Sequence, residues 1–541
     1  MTGQNGPNRV TSSPMASPSL TRRIAASAGI VMISVLASRL LGFMREWAVA
    51  HEFGSSAVTD AYYAAFTLPD FVNYLVAGAS LSITFIPVFA KYVAENNEEE
   101  GWRVFSTVIS VMLLLLLVLV TIGEIFTPGL LRVIAPGFNP AEKARAVFLT
   151  RLMMPAQIFF YLGSILSAVQ YAKGRFTIPS LAPVIYNSGI ILGGILLAST
   201  IGITGFSVGV LAGAFTGNFL LQIYGARRVG ARFTPNLDVR HPGFRMFIKL
   251  TIPIMLALSV VFSDDWIIRW FGSYLAPASI TWLSYAKFLM RVPQGVIGQA
   301  VGVASFPFLA QLYAEKKYDE LNRTLNTTLK GLLLLMVPVS ALTFAMNRPL
   351  VYFVFLHTRL RGPDLDATAA ALALFALGMS AWGAQSILGR AYYAGRNTLT
   401  PALLGTAVTF LNLPVYWALV RTMQYKGLAL ASSIGISAYV IVLFISLYRY
   451  TGNKQAGEVA GFFLRVAAAS IVGAAGAFEV VRWLEGRIHW QSTIGAFIVL
   501  VAATPVGLGL TGLAAKALRI REMDDYLKSV PLWSRLRRNR R

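Results

Sequence analysis

Residues 87–95 read PVFAKYVAE, and residues 307–315, which lie 220 positions later, read PFLAQLYAE. A proline, two alanines and a glutamate stand at the same places in both stretches. Further on, YAKGRFTIP at 171–179 is similar to YAGRNTLTP at 393–401. The first match also continues without a gap at two more pairs, Arg103 with Arg323 and Leu113 with Leu333. Such agreement indicates an internal duplication with a period of about 220 residues.

The composition is that of an integral membrane protein. Of 541 residues, 56% are hydrophobic and 13% are charged, and the mean hydropathy is +0.61. In soluble proteins about 25% of residues are charged. Because about 20 apolar residues are needed to cross a bilayer as a helix, we predict fourteen spans, near residues 24–50, 61–90, 105–128, 146–171, 180–200, 204–226, 246–272, 280–314, 326–347, 368–394, 400–421, 427–448, 459–483 and 491–516.

Twelve of these spans form the two copies, and the last two lie outside the duplication. Each copy has an even number of helices, so both begin on the same side of the membrane and the repeats are parallel. We therefore predict an all-α polytopic protein with its substrate between the halves. The predicted regions are a disordered cytoplasmic tail at 1–22, an N-lobe at 23–228, a C-lobe at 229–450, helices 13 and 14 at 451–517, and a basic cytoplasmic tail at 518–541.

Basic residues outnumber acidic ones, with 47 Lys and Arg against 24 Asp and Glu. In a polytopic protein the first explanation for this excess is a set of basic cytoplasmic loops. The predicted loops agree with both termini inside the cell. Nucleic acid is therefore not expected as a partner. The C-terminal RLRRNRR at 535–541 is expected to contact anionic membrane lipid.

Several function classes are disfavoured by what the sequence lacks. There is no cysteine, and the four histidines are scattered, so neither a metal site nor a thiol nucleophile is expected. The nucleotide-binding motif G-x-x-x-x-G-K-[ST] and the metalloprotease motif H-E-x-x-H are not found, and no G-x-S-x-G stands at a strand-to-helix turn, where hydrolases carry it. We predict a transporter rather than an enzyme, with no cofactor, and coupling to a monovalent cation stays open.

The first span contains ionisable residues in SRLLGFMRE at 38–46. An ionisable side chain near the bilayer centre costs at least about 2.5–3.5 kcal/mol, so each one needs a reason. Arg39 and Glu46 lie on one helix face, with Gly42 between them, and Arg45 points about 100° away. An ion pair that holds helices together would explain Glu46, but two arginines leave a positive surplus.

Spans 7 and 8 carry the other cluster of charges. Asp265 and Arg269 are four residues apart and can pair with each other. Lys287 and Arg291 place like charges on one helix face, just before a proline and a glycine where helices are readily broken. They need an anion, which Asp264, Asp265 or the substrate could supply.

Two aspartates belong to span 2. Asp60 begins the span, where it either caps the helix or serves transport. Asp70 follows a proline in the middle of an apolar stretch, which favours a functional role.

A cavity with surplus arginine and lysine suits an anionic substrate, and arginine forks suit the oxygens of a diphosphate.

Five segments together resemble the MurJ (MviN) lipid II flippases of bacteria, which belong to the multidrug/oligosaccharidyl-lipid/polysaccharide exporter superfamily. The segments are SRLLGFMREWAVAHEFG (38–54), TDAYYAAFTLPDF (59–71), TFIPVFAKY (84–92), APGF (135–138) and GRFTIPSLAPVIYN (174–187). The resemblance implies fourteen helices in two lobes, alternating access, and transfer of the undecaprenyl-diphosphate-linked peptidoglycan precursor to the outer leaflet of the cytoplasmic membrane.

The resemblance also implies roles for individual residues. Arg39 and Arg45 match the first-helix arginines that face the family's cationic cavity, Glu46 stands where an acid is usual, and Asp60 matches a family aspartate. The last two helices form a groove for the lipid tail in that family.

The sequence departs from the family pattern at three places. An arginine pair expected after L-P-N is replaced by Asn73 and Tyr74, and an expected glutamate is Gly78. In span 8 the usual D-R-L-M-E reads K-F-L-M-R at 287–291, so the family arginine falls on Phe288. Either the cations have moved to Lys287 and Arg291, or the chain is a diverged relative that moves another polyprenyl-linked glycan.

These observations define two groups of candidate residues. The predicted substrate-binding residues are Arg39, Arg45, Asn73, Lys287 and Arg291. The predicted coupling or charge network consists of Glu46, Asp60, Asp70, Asp264, Asp265 and Arg269.

Two readings compete with a flippase. An ion-coupled exporter of organic cations from the same superfamily would need surplus acids in its cavity. A scaffold for cell-wall synthesis would give no reason for cations within spans. The expected partners are the lipid-linked glycan, membrane lipids and proteins of cell-wall synthesis.

Overall fold

The computed structural model describes residues 18–73, 80–259, 263–395 and 397–523. Most of the two predicted tails lies outside these ranges, at 1–17 and 524–541, and so does the basic end at 535–541. Tyr74 and Gly78, which mark departures from the family pattern, also lie outside the described residues.

All regular elements in the described ranges are helices. They are α1 Pro18–Phe53, α2 Ala57–Ala65, α3 Thr67–Val72, α4 Ser80–Ala94, α5 Glu98–Ile134, α6 Pro140–Met153, α7 Ala156–Ala172, α8 Thr177–Ile201, α9 Thr204–Gly213, α10 Leu221–Arg228, α11 Pro242–Ser259, α12 Ser263–Gly272, α13 Ser279–Pro293, α14 Gln299–Ala314, α15 Tyr318–Ala345, α16 Asn347–Phe355, α17 Gly362–Ala394, α18 Leu399–Met423, α19 Tyr425–Tyr450, α20 Ala456–Glu485 and α21 Thr493–Ala517. π-Helical segments at Ala214–Leu220 and Gln294–Gly298 join α9 to α10 and α13 to α14.

The backbone repeats the duplication seen in the sequence. The turn after α4 places Asn96 at φ 55°, and the turn after α14 places Lys316, 220 residues later, at φ 57°. The turn after α8 places Gly202 at φ 61°, and its counterpart after α18 places Gln424 at φ 53°. Residues other than glycine rarely adopt this left-handed backbone conformation. Its presence at Lys316 and Gln424, at turns that match those of the first copy, is therefore strong evidence that the fold is duplicated. The all-α fold with two parallel repeats is confirmed.

Ten helical segments of the described chain are long and apolar enough to cross a membrane. They correspond to predicted spans 3 to 6 and 9 to 14. The other four predicted spans fall on α1, α2 to α4, α11 to α12, and α13 to α14. These are the spans with interior charges or residues outside the described ranges. The structure is therefore consistent with fourteen spans, and the exact number stays a prediction.

Span 8 changes conformation where the sequence predicts a break. α13 ends at Pro293, and the π-helical segment Gln294–Gly298 follows. Proline has no N–H to donate and its ring clashes with the preceding turn, which favours such a local widening. The break allows α13 and α14 to take different courses, so that α13 can line a cavity between the lobes.

The two copies meet at the end of the bundle where α1 ends, which we call the outer end after the orientation that the sequence predicts. The Arg359 N–H donates to the carbonyl of Ala50, and the Tyr285 hydroxyl donates to the carbonyl of Gly54. A Cβ added to Gly54 would lie 2.8 Å from the Arg359 carbonyl oxygen. These contacts bring the lobes together at the outer end.

Candidate functional site

A cavity of about 490 Å³ lies between the two copies. Its walls come from α1, α2, α3, α6, α7, α8 and α9 of the first copy and from α12 and α13 of the second. We call it the central cavity. Four cationic and three acidic side chains line it, namely Arg45, Arg269, Lys287, Arg291, Glu46, Asp70 and Asp265.

On α1, Arg45 and Glu46 form a buried network. Arg45 donates to Glu46 Oε1 from Nη2 at 2.7 Å and from Nε at 3.1 Å. The Tyr63 hydroxyl donates to Glu46 Oε2 at 2.6 Å, and Arg45 Nη1 lies 3.4 Å from Asn187 Oδ1. The Arg45 side chain is 27% exposed, whereas Glu46 is buried. The network orients the Arg45 guanidinium and leaves part of it accessible from the cavity.

Arg39 lies apart from this network. It is exposed, is not part of the cavity lining, and lies about 9 Å from Arg45 along α1. Its guanidinium occupies the space above Gly295, because a Cβ added there would come within 1.8 Å of Nη1. Glu46 therefore takes Arg45 as its ion-pair partner, although the helix spacing placed Arg39 on the same face.

The opposite wall holds Lys287 between two aspartates. Its Nζ lies 2.5 Å from Asp264 Oδ2 and 2.6 Å from Asp265 Oδ1, and Lys287 is 6% exposed. Arg291 Nη2 lies 3.2 Å from the second oxygen of Asp265. The aspartates thus provide the anion that the two cations need.

Asp264 lies behind Lys287 and does not line the cavity. It accepts hydrogen bonds from the hydroxyls of Tyr416 on α18 and Ser432 on α19, the latter at 3.1 Å. Asp264 therefore connects the cavity wall to the rest of the second copy.

Arg269 contacts Thr67 rather than Asp265, with which its spacing allowed a pair. Within the described residues it forms no ion pair with Asp265, because Lys287 and Arg291 occupy that carboxylate. Instead Arg269 Nη1 donates to Thr67 Oγ1 at 2.7 Å, across the lobe boundary. The pairing that a spacing of four residues allows is thus replaced by contacts with neighbouring helices, from Lys287 and Arg291 to Asp265 and from Arg269 to Thr67.

Asp60 is a helix cap, but for a different helix. It accepts from the backbone N–H of Ala278 at 2.7 Å and of Thr281 at 2.8 Å, and from the Thr281 hydroxyl at 2.6 Å. Ser56 is the N-cap residue of α2, the helix that contains Asp60. Asp60 is 3% exposed and caps α13 of the other copy. It therefore joins the lobes at the outer end and lies outside the central cavity.

Two positions noted for family differences, Asn73 and Phe288, can be assessed together with the nearby Asp70. Asp70 and Asn73 both line the cavity from the region of α3. Phe288 also lines it and packs on Phe43 of α1, with 5.7 Å between ring centroids. An aromatic side chain thus occupies the family arginine position.

Sequence reasoning missed several lining residues that carry no charge. Tyr62, Tyr186 and Trp266 give the cavity aromatic walls, and the buried Gln157 adds an amide. Tyr62 and Tyr186 lie within two of the quoted family segments, which was the only available signal. Nothing about the local pattern distinguishes Gln157 from an ordinary polar residue of a helix.

The cavity allows a direct test of the relocated cations. We expect the double reversal Lys287→Glu and Arg291→Glu to abolish transport, because it would put four carboxylates beside one another. Phe288→Ala should be tolerated, since it removes only an apolar contact. The readout is growth of complemented bacteria with equal membrane levels of each variant. The reverse ranking would show that Phe288, not the cation pair, matters.

Comparison with known proteins identifies the family. The profile of the family described as lipid II flippase MurJ matches residues 49–500. The chain belongs to this family. A probable MurJ lipid II flippase of Buchnera aphidicola is 28% identical over 424 residues, which cover 78% of this chain and 82% of the relative.

Solved structures agree on the fold. A MurJ lipid II flippase in an inward closed conformation has a TM-score of 0.75 and 24% identity, covering 90% of this chain and 99% of the other. An inward-facing multidrug transporter of the MATE family has a TM-score of 0.59 and 14% identity, covering 78% and 98%. The chain therefore shares its fold with both structures and is a multi-pass membrane protein of the MurJ family.

Proposed function

We propose that the chain is a flippase that moves lipid II, the undecaprenyl-diphosphate-linked peptidoglycan precursor, from the inner to the outer leaflet of the bacterial cytoplasmic membrane. It acts as a transporter and not as an enzyme. The observation that carries the proposal is a central cavity with more cations than acids in a member of the MurJ family.

The chemistry of the cavity supports a diphosphate ligand. Arg45 is held in place by Glu46 and is partly accessible, and Arg291 and Lys287 face it from the other copy. Arginine binds phosphate oxygens through paired N–H donors, and charge-assisted bonds are stronger than neutral ones. We propose that Arg45, Lys287, Arg291 and Asn73 bind the headgroup, and that Arg39 contacts the diphosphate near the cavity entrance.

The arrangement at the outer end supports alternating access. Cross-lobe hydrogen bonds hold the outer end together, among them those of Asp60 and Tyr285. Opening must break these bonds, so the closed outer end is one state of a cycle. We propose that both termini are cytoplasmic, so that this state faces the inside, and that α20 and α21 hold the lipid tail.

Competing functions make different demands on the cavity. An exporter of organic cations would need an acidic cavity, whereas cations outnumber acids here. A scaffold would not need a polar cavity between its lobes. A flippase for another polyprenyl-linked glycan would use the same diphosphate contacts, so it remains the closest alternative.

Rescue of bacteria depleted of their own lipid II flippase tests the proposal. We expect this chain to restore growth. Rescue would exclude the exporter and the scaffold together. No growth despite normal membrane levels would contradict the lipid II proposal and favour another polyprenyl-linked glycan.

We also propose that transport needs no ATP and responds to the membrane potential. The sequence has no nucleotide-binding motif, and a charge that crosses the full field changes energy by about 2.3 kcal/mol per 100 mV. An inside-negative potential pushes a diphosphate outward and draws an empty cationic cavity back. An ionophore that collapses the potential at constant ATP should change the rate of outward transfer. No change, or loss of transport on ATP depletion alone, would contradict this mechanism.

Coupling to a monovalent cation is the remaining part of the mechanism. Lys287 already places an ammonium between Asp264 and Asp265. We therefore propose that a coupled cation uses Asp70, which lines the cavity. Replacing sodium by choline at constant potential should slow the wild type and leave Asp70→Asn unaffected. Equal slowing of both would contradict a role for Asp70.

A further inference from the structure

The linker between the two copies, residues 229–241, runs along α5, and neither of them lines the central cavity. The backbone N–H of Thr234 donates to Ser106 Oγ at 3.1 Å, and that of Asn236 donates to Ser110 Oγ at 3.3 Å. The serines are one helical turn apart, and their partners are two residues apart. This spacing holds the linker extended against the helix.

Two charged contacts fix the far end of the linker. Arg103 Nη2 lies 3.4 Å from Asp238 Oδ2, and His241 Nε2 lies 2.6 Å from Glu100 Oε1. The linker is thus attached to α5 by four contacts over a short stretch. Its course is specified, unlike that of a flexible connection.

The attached linker presents apolar side chains outward. Side chains alternate in an extended segment, and the polar Asp238 faces α5. Phe233 is 50% exposed and Leu237 is 60% exposed. Together with Pro235 they form one side of a groove of about 580 Å³, and the other side consists of Leu113, Leu114 and Leu117 of α5. We call this the linker groove.

The groove lies where the apolar surface of α5 begins. Ser110 is about 18 Å along α5 from Glu98. The charged first turn precedes it, and the exposed leucines, from Leu114 on, follow it. A boundary between charged and apolar surface marks the level of lipid headgroups. An acyl chain can enter the groove from the bilayer at this level.

The surroundings of the groove are strongly basic. Five arginines in or beside the linker have exposed side chains, namely Arg227, Arg228, Arg232, Arg240 and Arg245. Within the described residues none of the five forms an ion pair, and the nearby acids Glu100 and Asp238 are engaged by His241 and Arg103. Basic residues next to a membrane surface attract anionic lipid headgroups, at about 1 kcal/mol each.

We propose that the linker groove binds an anionic phospholipid, with an acyl chain between Phe233, Leu237 and the α5 leucines and its phosphate at the linker arginines. This site is separate from the central cavity and does not depend on the proposed function. It would place a membrane lipid on the segment that joins the two copies in sequence.

Fluorescence quenching tests the site in the full-length protein. Because the chain has no cysteine, Leu237→Cys can carry a single bimane probe. The protein is placed in vesicles that contain equal small fractions of either phosphatidylglycerol or phosphatidylcholine with a spin label on the acyl chain. We expect at least twofold stronger quenching by the labelled phosphatidylglycerol. Leu403→Cys, an exposed position near the start of α18, is the control probe and should be quenched equally by both lipids.

Arginine variants show whether the headgroup is recognised. Arg232→Gln with Arg240→Gln should remove the preference at the Leu237 probe. Arg482→Gln in the last turn of α20, combined with Arg487→Gln just after that helix, should preserve it. Equal quenching by both lipids at Leu237 would show ordinary bilayer contact and overturn the proposal. A preference that survives loss of Arg232 and Arg240 would also overturn it.

Discussion

Replacing Arg45 by alanine is expected to abolish rescue of cells that lack their own lipid II flippase, with the variant still present in the membrane. The Arg45 guanidinium is partly accessible in the central cavity and is held by Glu46 and Asn187. Truncation removes the headgroup contact and also leaves Glu46 without its cation. Loss of one partner of a buried charge pair costs about 2–5 kcal/mol of binding free energy. The rate of lipid II transfer should therefore fall more than tenfold.

A matched arginine variant separates this effect from general damage. Arg348 lies on α16 outside the central cavity and pairs with the exposed Asp366. Arg348→Ala should therefore rescue growth normally. Glu46→Gln should retain part of the activity, because Tyr63 can still donate to the amide oxygen. Normal rescue by Arg45→Ala would remove this residue from the binding site.

Replacing Asp60 by alanine is expected to open the outer end and stop transport. Asp60 satisfies two backbone N–H groups and one hydroxyl at the start of α13. A buried polar group left without a partner costs about 1–3 kcal/mol, so the loss of these bonds favours a state in which water reaches them. The carrier would then remain outward-facing and could not collect substrate from the inner leaflet.

Distances between spin labels report this opening. Labels on His51→Cys and Arg361→Cys would lie on opposite lobes at the outer end, in a chain with no other cysteine. We expect Asp60→Ala to shift the distance distribution to longer values and Asp60→Asn to have a smaller effect. The control is Asp366→Asn, which should leave the distribution unchanged. An unchanged distribution in Asp60→Ala, together with normal transport, would contradict the role of Asp60 as a clasp between the lobes.

Much of the fold was predictable because it follows from local patterns. Apolar length located the spans, and the period of about 220 residues located the copies, which the left-handed turns at Asn96 and Lys316 repeat in the backbone. The ends of helices were less predictable. α5 extends from Glu98 to Ile134, well beyond the predicted span 105–128, because charged and polar turns continue a helix outside the bilayer core.

The charged residues were predictable, but their partners in the other lobe were not. Within one lobe, Asp264 and Asp265 were among the anions suggested for Lys287, and they contact it from 23 and 22 residues away. A cap of its own helix was one of two roles considered for Asp60, yet the helix that it caps begins more than 200 residues later. Such partners depend on the approach of two lobes, and local spacing contains no information about that approach.

The accessibility of lipid II at the outer surface tests the central claim most directly. Cells depleted of their own flippase are complemented with this chain, and an added enzyme that cannot cross the membrane cleaves the lipid II that has reached the outer leaflet. The account predicts that the wild-type chain restores the cleaved fraction and that Arg45→Ala does not. A cleaved fraction that stays at the level of depleted cells, with the wild-type chain present in the membrane in normal amount, would contradict it.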